Sequence, residues 1–423
     1  MRPLLIVLVA ATLGAPPVLA QTADDGGQSD EANRSPSTVT RPEPPAPAST
    51  SPHGSRLAAG AEWIQSVFTR DKVVNGFYPE WGGLPPGSGV SIGPGYRHRI
   101  FDGHASIDAS AAVAWTRGTF AQASFELPAL ADNKVTVGTQ AKRQDFTRVS
   151  FYGVGPGSGE SDGTEYRLQN SDYLVYATVK PGARTTASIR LGYSPPVAIE
   201  RPRVADLPPT ADLFAPAAAP ALTDRPAFLH GDASVGVDTR NHPARPTSGG
   251  DYWVGFTAFS DRTYHTYSFQ RLEAEASQYI PILHENWVIA LRARVAASNT
   301  SAGNVVPFYL LPAIGGGHSL RSFDDYRFMD RHAFVANAEY RWRVFGALDG
   351  ALFYDAGNVA PRFHELDFKS LKTSYGIGFR FHSDDTTFFR IDVARGSEGT
   401  RVLLSINDSL RPGHGSILIP YVP

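Results

Sequence analysis

Between residues 72 and 410 apolar and polar positions alternate with a period of two, in short runs separated by Gly, Pro, Asn and Asp. In FVANAEYRWRVF, Phe334, Ala336, Ala338, Tyr340, Trp342 and Val344 are apolar, while Asn337, Glu339, Arg341 and Arg343 stand between them. WVIALRARVAAS puts Trp287, Ile289, Leu291 and Val295 on one face and Arg292 and Arg294 on the other. YGIGFRF sets Tyr375, Ile377, Phe379 and Phe381 against Gly376, Gly378 and Arg380. A period of two is the pleat of a β-strand. The chain is therefore predicted to be all-β, with strands near 72–83, 88–100, 105–117, 119–129, 133–146, 165–180, 183–194, 228–239, 249–260, 266–279, 285–299, 334–345, 347–358, 372–384, 386–396 and 400–409. That is about sixteen strands, an even number as closure with both ends on one side requires.

A soluble sandwich would also alternate, so the buried face has to be identified. The polar faces carry large, closely spaced charges of both signs, such as Arg271, Glu273 and Glu275. The apolar faces become aromatic toward strand ends, at Trp115, Trp287, Tyr340 and Trp342. A water-filled lumen and two interfacial girdles ask for this distribution. Runs of about 9–13 residues suit a tilted membrane strand better than a soluble strand of about five or six. The reading is a transmembrane antiparallel outer-membrane β-barrel. Its longer connections (147–164, 195–227, 300–333 and 359–371) fall on one side, taken as the outside. Shorter turns, such as Pro181-Gly182 and NHPARPTSGG, fall on the periplasmic side.

The flanks add the cellular address. Residues 1–20 read as a secretory signal peptide: a basic start, the apolar run LLIVLVAATLG and small residues before Gln21. Residues 21–57 are rich in Pro, Ser, Ala and Gly and are predicted to be a disordered leader. Residues 58–71 fit one short helix or pre-barrel segment, and 411–423 form a C-terminal tail. The formal net charge of −2 argues against nucleic acid, and the chain has no cysteine. The expected location is the bacterial outer membrane, with its lipid as a partner.

One connection stands out. GGGHSLRSFDDYRFMD (315–330) gathers glycines, arginines, aspartates and aromatics within a connection of some thirty residues, preceded by the strand-like run VVPFYLLPAI. Leu320, Phe323, Tyr326 and Phe328 ask for burial, and the lumen is where the loop would find it. An arginine in a shielded lumen needs a carboxylate. Asp355 in ALFYDAGNV has inward parity and is the first candidate partner of Arg321, with Glu339 the second. GVGPGSG (153–159) lacks the lysine and helix of a phosphate loop. The twelve histidines, His318, His332 and His364 among them, show no paired metal spacing on a strand. No nucleophile elbow is present, so neither an enzyme, a cofactor nor a metal is expected.

GGGHSLRSFDDYRF, EYRW, ALFYDAGNV, YGIGFRF, FFRIDVARG, FYGVGPGS and VGVDTRNHPARPTSGG, in this composition of blocks, resemble the bacterial surface antigen superfamily. That family holds outer-membrane barrel-assembly factors and two-partner-secretion transporters. The resemblance covers most of 72–410. It implies a sixteen-stranded barrel with an inward-folded loop between strands 11 and 12. The tip of that loop, Val/Ile/Leu-Arg-Gly-Phe/Tyr, packs on an aspartate of strand 13. Leu320, Arg321 and Phe323 match the tip and Asp355 the aspartate; Gly376 and Gly378 mark the neighbouring glycine strand. Ser322 stands where the tip has glycine, which implies strain at a positive φ or a tip drawn differently. Family members carry periplasmic polypeptide-transport domains before the barrel, where this chain has the leader. Its RPGHGSILIPYVP ending also lacks the usual final aromatic residue.

The implied function is insertion or transport of polypeptides at the outer membrane, with client polypeptides and a separate periplasmic partner. The alternatives are a passive or gated pore, or a structural or lipid-handling envelope barrel.

Overall fold

A computed structural model describes residues 75–81, 88–242, 245–282, 286–382, 387–405 and 410. The predicted signal peptide and leader, the segment 58–71 and the tail 411–423 lie outside these residues. Among the described residues no helix is long and apolar enough to cross a membrane.

Sixteen strands follow one another as an antiparallel meander. They are β1 (Gly76–Trp81), β2 (Ser91–Ile100), β3 (Ala105–Ala114), β4 (Thr119–Ala129), β5 (Val135–Phe151), β6 (Thr164–Gly182), β7 (Thr185–Ser194) and β8 (Phe228–Asp238). The second half comprises β9 (Gly249–Asp261), β10 (Phe269–Pro281), β11 (Trp287–Asn299), β12 (His332–Phe345), β13 (Leu348–Ala360), β14 (Lys372–His382), β15 (Thr387–Gly396) and β16 (Gly399–Ser405). A seventeenth strand, Ala198–Glu200, adds a short rung to β6. The connections alternate. Residues 101–104, 130–134, 183–184 and 346–347 turn the chain at one end, while 152–163, 195–227, 300–331 and 361–371 form the other. The hairpin end uses the left-handed conformations that two-residue turns favour, as at Ala131 (φ 49°) and Asp132 (φ 57°).

The meander matches the sequence reading in strand number and order, and differs at its margins. β5 and β6 run to 17 and 19 residues, past a bulge between Phe146 and Val149. Pairing there continues beyond what a membrane crossing needs, because no Gly or Pro interrupts the chain between Gly138 and Gly153. Trp115 sits in the short turn after β3 rather than on a strand. VVPFYLLPAI is not a strand: it contains one turn of 3-10 helix (Phe308–Leu310), and only Ala313 and Ile314 pair, with Phe328 and Met329.

Burial is inverted relative to a water-soluble protein. Arg271, Glu273, Glu275, Arg292, Arg294, Glu339, Arg341, Arg380 and Asp392 are buried. Their strand neighbours Leu272, Leu291, Leu352, Ile377 and Val393 are exposed; Arg271 is 2% accessible and the adjacent Leu272 50%. At about 25 cal/mol per Å2 of apolar surface, such an exterior is unfavourable in water and favourable against hydrocarbon. Trp287 and Trp342 are direct cross-strand partners at the hairpin end, flanked by Tyr340. This is where an interfacial girdle belongs.

At the long-loop end the molecule has a core of the soluble kind. Phe146, Phe151 and Tyr166 from the extensions of β5 and β6 meet Leu222, Phe228, Phe259 and Phe269. Phe308, Tyr309 and Leu310 of the 300–331 connection enter the same cluster. Phe308 takes Phe151 and Tyr166 edge-on, at centroid distances of 5.0 and 4.8 Å. This cap lies over the mouth of the lumen and positions the segment that descends from it.

Candidate functional site

The 300–331 connection leaves the cap after Leu311, runs through the Ala313–Ile314 rung and turns. Two glycines make the turn possible. Gly315 (φ 125°) and Gly316 (φ 83°) occupy the left-handed region, and a Cβ on Gly315 would lie 2.2 Å from the Asp324 carbonyl oxygen. The Ser319 hydroxyl closes the turn, accepting from the Gly315 N–H at 2.7 Å and donating to its carbonyl at 2.8 Å. Leu320 and Phe323 are buried against Ile314, Phe328, Val335 and Val359. The apolar side chains flanking Arg321 therefore anchor the tip, and the arginine projects at the polar wall.

Arg321 is 1% accessible. Its Nη2 and Nε donate to the two oxygens of Asp355 at 2.6 and 2.9 Å, a planar fork on a carboxylate. Nη1 donates to Glu339 at 2.6 Å, and Asp392 lies 3.4 Å away. The guanidinium stacks 3.5 Å over the Phe353 ring. Three buried carboxylates would repel one another, and further arginines offset them. Arg380 bridges Asp392 (2.7 Å) and Glu339 (3.0 Å), and Arg341 holds the second oxygen of Glu339 at 2.8 Å. Asn337 donates to Asp355 and to the Ser319 carbonyl, both at 2.8 Å. Arg292 and Arg390 hold the loop carbonyls of His318 and Gly317 at 2.5 and 3.2 Å.

Ser322 adopts no positive φ. The expected strain is absent because the tip turns at Gly315, Gly316 and Tyr326 (φ 59°) instead. The Ser322 hydroxyl lies 2.6 Å from that of Ser374, and its N–H donates to Ser374 at 3.0 Å. Space for the hydroxyl comes from the next strand, where Gly396 is the register partner of Ser374: a Cβ on Gly396 would sit 2.1 Å from it. Gly376 and Gly378 serve similarly. Gly376 leaves room for the Phe353 ring, and Gly378 for the Arg380–Asp392 pair.

Every side chain named by the sequence as tip, partner or glycine strand is thus in one cluster, with Asp355 and Glu339 both on Arg321. Sequence reasoning left out Asp392, Arg380, Ser374 and Phe353. The inward parity of IDVA and GFRF was the available signal, but parity does not say which inward charges meet. With its acids paired and its centre closed to solvent, the arrangement is suited to holding a loop rather than to proton transfer. Among the described residues no group of three or more His, Asp or Glu could hold a metal ion.

Toward the cap the loop is tied a second time. Arg327 pairs with Glu398 at 2.8 Å and donates to Ser158 at 3.0 Å. Tyr152 donates to Asp324 at 2.9 Å, and Arg401 pairs with Asp324 at 3.1 Å and with the Phe323 carbonyl. Burial pushes the Asp325 carboxyl up from 3.8 to about 6, helped by the charge of Asp324 and opposed by that of Arg401. A carboxyl raised in this way favours the closed loop fully below pH 3.8, and the advantage is lost as pH rises through about 6. Hydrogen exchange of residues 313–329, normalised to β13, is accordingly expected to be slower at pH 5 than at pH 7.5. Asp325→Asn should flatten the dependence; an unchanged pH profile in that variant would exclude Asp325 as its source.

Residues 104–398 match the Omp85 superfamily domain. Among solved structures, the chain is similar to BamA from Haemophilus ducreyi lacking POTRA domains 1–3, with 17% identity and a TM-score of 0.59. That match covers 78% of this chain and 69% of the other. CdiB from Escherichia coli gives 12% identity and a TM-score of 0.50, covering 78% of this chain and 61% of its own. No curated protein sequence matches.

Proposed function

The chain belongs to the Omp85 superfamily, and on that premise we propose that it takes part in the insertion or transport of polypeptides at the bacterial outer membrane. Its short turns lie in the periplasm and its cap outside. The observation that carries the reading is the reach of the lock. The loop tip is held by Glu339 of β12, Asp355 of β13, Ser374 of β14, Asp392 of β15 and, through Asp324, Arg401 of β16. These are the last five wall strands, so the loop is mechanically linked to the strand that borders the seam.

Among the described residues β1 pairs with β2 and β16 with β15. A terminal strand with an edge open to a client strand would receive it by the β-augmentation chemistry of exposed sheet edges. Client polypeptides and a separate periplasmic partner belong to this proposal, and no catalytic role does. A simple pore is disfavoured by the cap over one mouth and the loop within the lumen.

A photocrosslinker at Phe77 on β1, which is 80% exposed, and another at Leu404 on β16, 68% exposed, would be activated in growing cells. Adducts with newly made outer-membrane or exported proteins are expected. If the sole product joins β1 to β16, the seam does not receive clients, and a pore or envelope-stabilising role replaces the proposal.

A further inference from the structure

The 300–331 connection is held in the lumen by its main chain as well as by its tip. The carbonyls of Gly317, His318 and Ser319 follow one another, and each accepts from a different strand. Arg390 of β15, Arg292 of β11 and Asn337 of β12 donate to them at 3.2, 2.5 and 2.8 Å. A carbonyl on either side is held likewise: Arg271 of β10 donates to Leu310, and Arg401 of β16 to Phe323. Five strands of the wall thus converge on the backbone of one irregular segment.

These contacts read no side chain. Gly317 has none, and Ser319 uses its hydroxyl within the turn, on Gly315. Every residue of any polypeptide carries a carbonyl, so donors placed to meet successive carbonyls discriminate little between sequences. The cradle is also set in advance. Nε and Nη2 of Arg292 both donate to the Asn337 oxygen, at 3.1 and 2.8 Å, which turns the amide nitrogen towards Ser319 and Asp355. Arg271 has the Ser298 hydroxyl at 3.0 Å and, among the described residues, no ion pair with a carboxylate. A buried guanidinium of that kind needs other acceptors, and a main-chain carbonyl supplies one.

The wall carries donors that the loop leaves unused. Arg380 and Arg390 are cross-strand partners. Among the described residues, Nε of Arg380 and both Nη1 and Nε of Arg390 are buried without a hydrogen bond, the last 3.4 Å from Asp392. Buried donors without partners are rare, and these stand beside the cradle.

We propose that Arg292, Asn337 and Arg390 form a binding site for the main chain of an unfolded, uncharged polypeptide segment. The loop fills it at rest, and a client segment fills it when the loop is displaced. This rests on the polypeptide role argued above and adds what is recognised: successive carbonyls rather than side chains.

The test uses the purified, detergent-solubilised full chain and a fluorescent probe peptide of repeated Gly-Ser, blocked at both ends so that it is uncharged. Binding is read by fluorescence anisotropy. Arg321→Ala, which is expected to release the loop, should bind the probe about tenfold more tightly than the native chain, because the site is no longer occupied. Adding Arg292→Met or Arg390→Met to that variant should each weaken binding about tenfold, the scale of a hydrogen bond from a charged group. Arg190→Met, which removes an arginine of β7 paired with Asp232, should leave binding unchanged. Folding is monitored by heat-modifiable gel mobility; if Arg321→Ala does not fold, Leu320→Ser frees the same tip from its apolar anchors. No binding, equal affinity in the native and released chains, or no loss on removing Arg292 and Arg390 would each overturn the cradle. So would binding confined to a probe with Glu in place of Ser. Failure here alongside client adducts at the seam would remove the cradle and keep the polypeptide role; probe binding without such adducts would do the reverse.

Discussion

Replacing Arg321 by alanine is expected to release the loop from the lumen and to be the most damaging single change in the wall. The side chain makes two short bonds to Asp355, one to Glu339 and a stack on Phe353. Removing one partner from a buried ion pair costs about 3–5 kcal/mol, since the acids it neutralised stay buried. Three acids stay here. The melting midpoint, read as the temperature at which the compact gel form is lost, should fall, and conductance in planar bilayers should rise. Arg321→Lys should restore little, because a point charge cannot bridge Asp355 and Glu339 in one plane. Arg321→Glu should be worse than alanine. Adding Asp355→Arg to it should recover only part of the loss, because Glu339 and Asp392 still face the new acid. No recovery at all would mean that the Arg321–Asp355 bond does not carry the energy assigned to it.

The second large effect comes from a hydrogen atom's worth of space. A Cβ on Gly376 would stand 1.9 Å from the Val393 carbonyl oxygen and 2.6 Å from the Phe353 ring. The first is backbone of the next strand and cannot turn away; the second is the ring beneath Arg321. Gly376→Ala should therefore loosen the β14–β15 ladder and the arginine stack together, at about 1–3 kcal/mol, and Gly376→Val should prevent folding. Gly378→Ala meets Asp392 Oδ1 at 1.9 Å and Arg380 Nη1 at 2.1 Å, side-chain atoms that can shift, so it should cost less. Gly182, with nothing within 4 Å, serves as control. Equal melting midpoints for Gly376→Ala and Gly182→Ala would refute the close approach.

How far the sequence alone reaches depends on which interaction is asked about. Strand parity was legible because one face meets hydrocarbon and the other water, which forces Phe334 and Tyr340 one way and Asn337 and Glu339 the other. Asp355 was legible for the same reason, being polar at an inward position between Tyr354 and Ala356. Asp392, Arg380 and Ser374 obey the same parity, yet their meeting point depends on the stagger of β14 and β15 around the wall. A period of two carries no information on stagger. The cap was not legible, for a different cause. Phe308, Tyr309 and Leu310 form an apolar run that a strand would also show, and only burial under β5 and β6 gives it another conformation.

The loop lock also has a chronology. Arg321 precedes Glu339 by 18 residues, Asp355 by 34 and Asp392 by 71. The cation therefore stands N-terminal to every acid that neutralises it, and the last of those acids lies on the fifteenth strand. Long sequence separations delay contacts, because the intervening chain has to be ordered first. A wall that stops short of β15 holds an arginine tip with part of its counter-charge missing, inside a lumen that cannot solvate it well. The loop settles when the final strands do, so its docking registers that the wall has been completed.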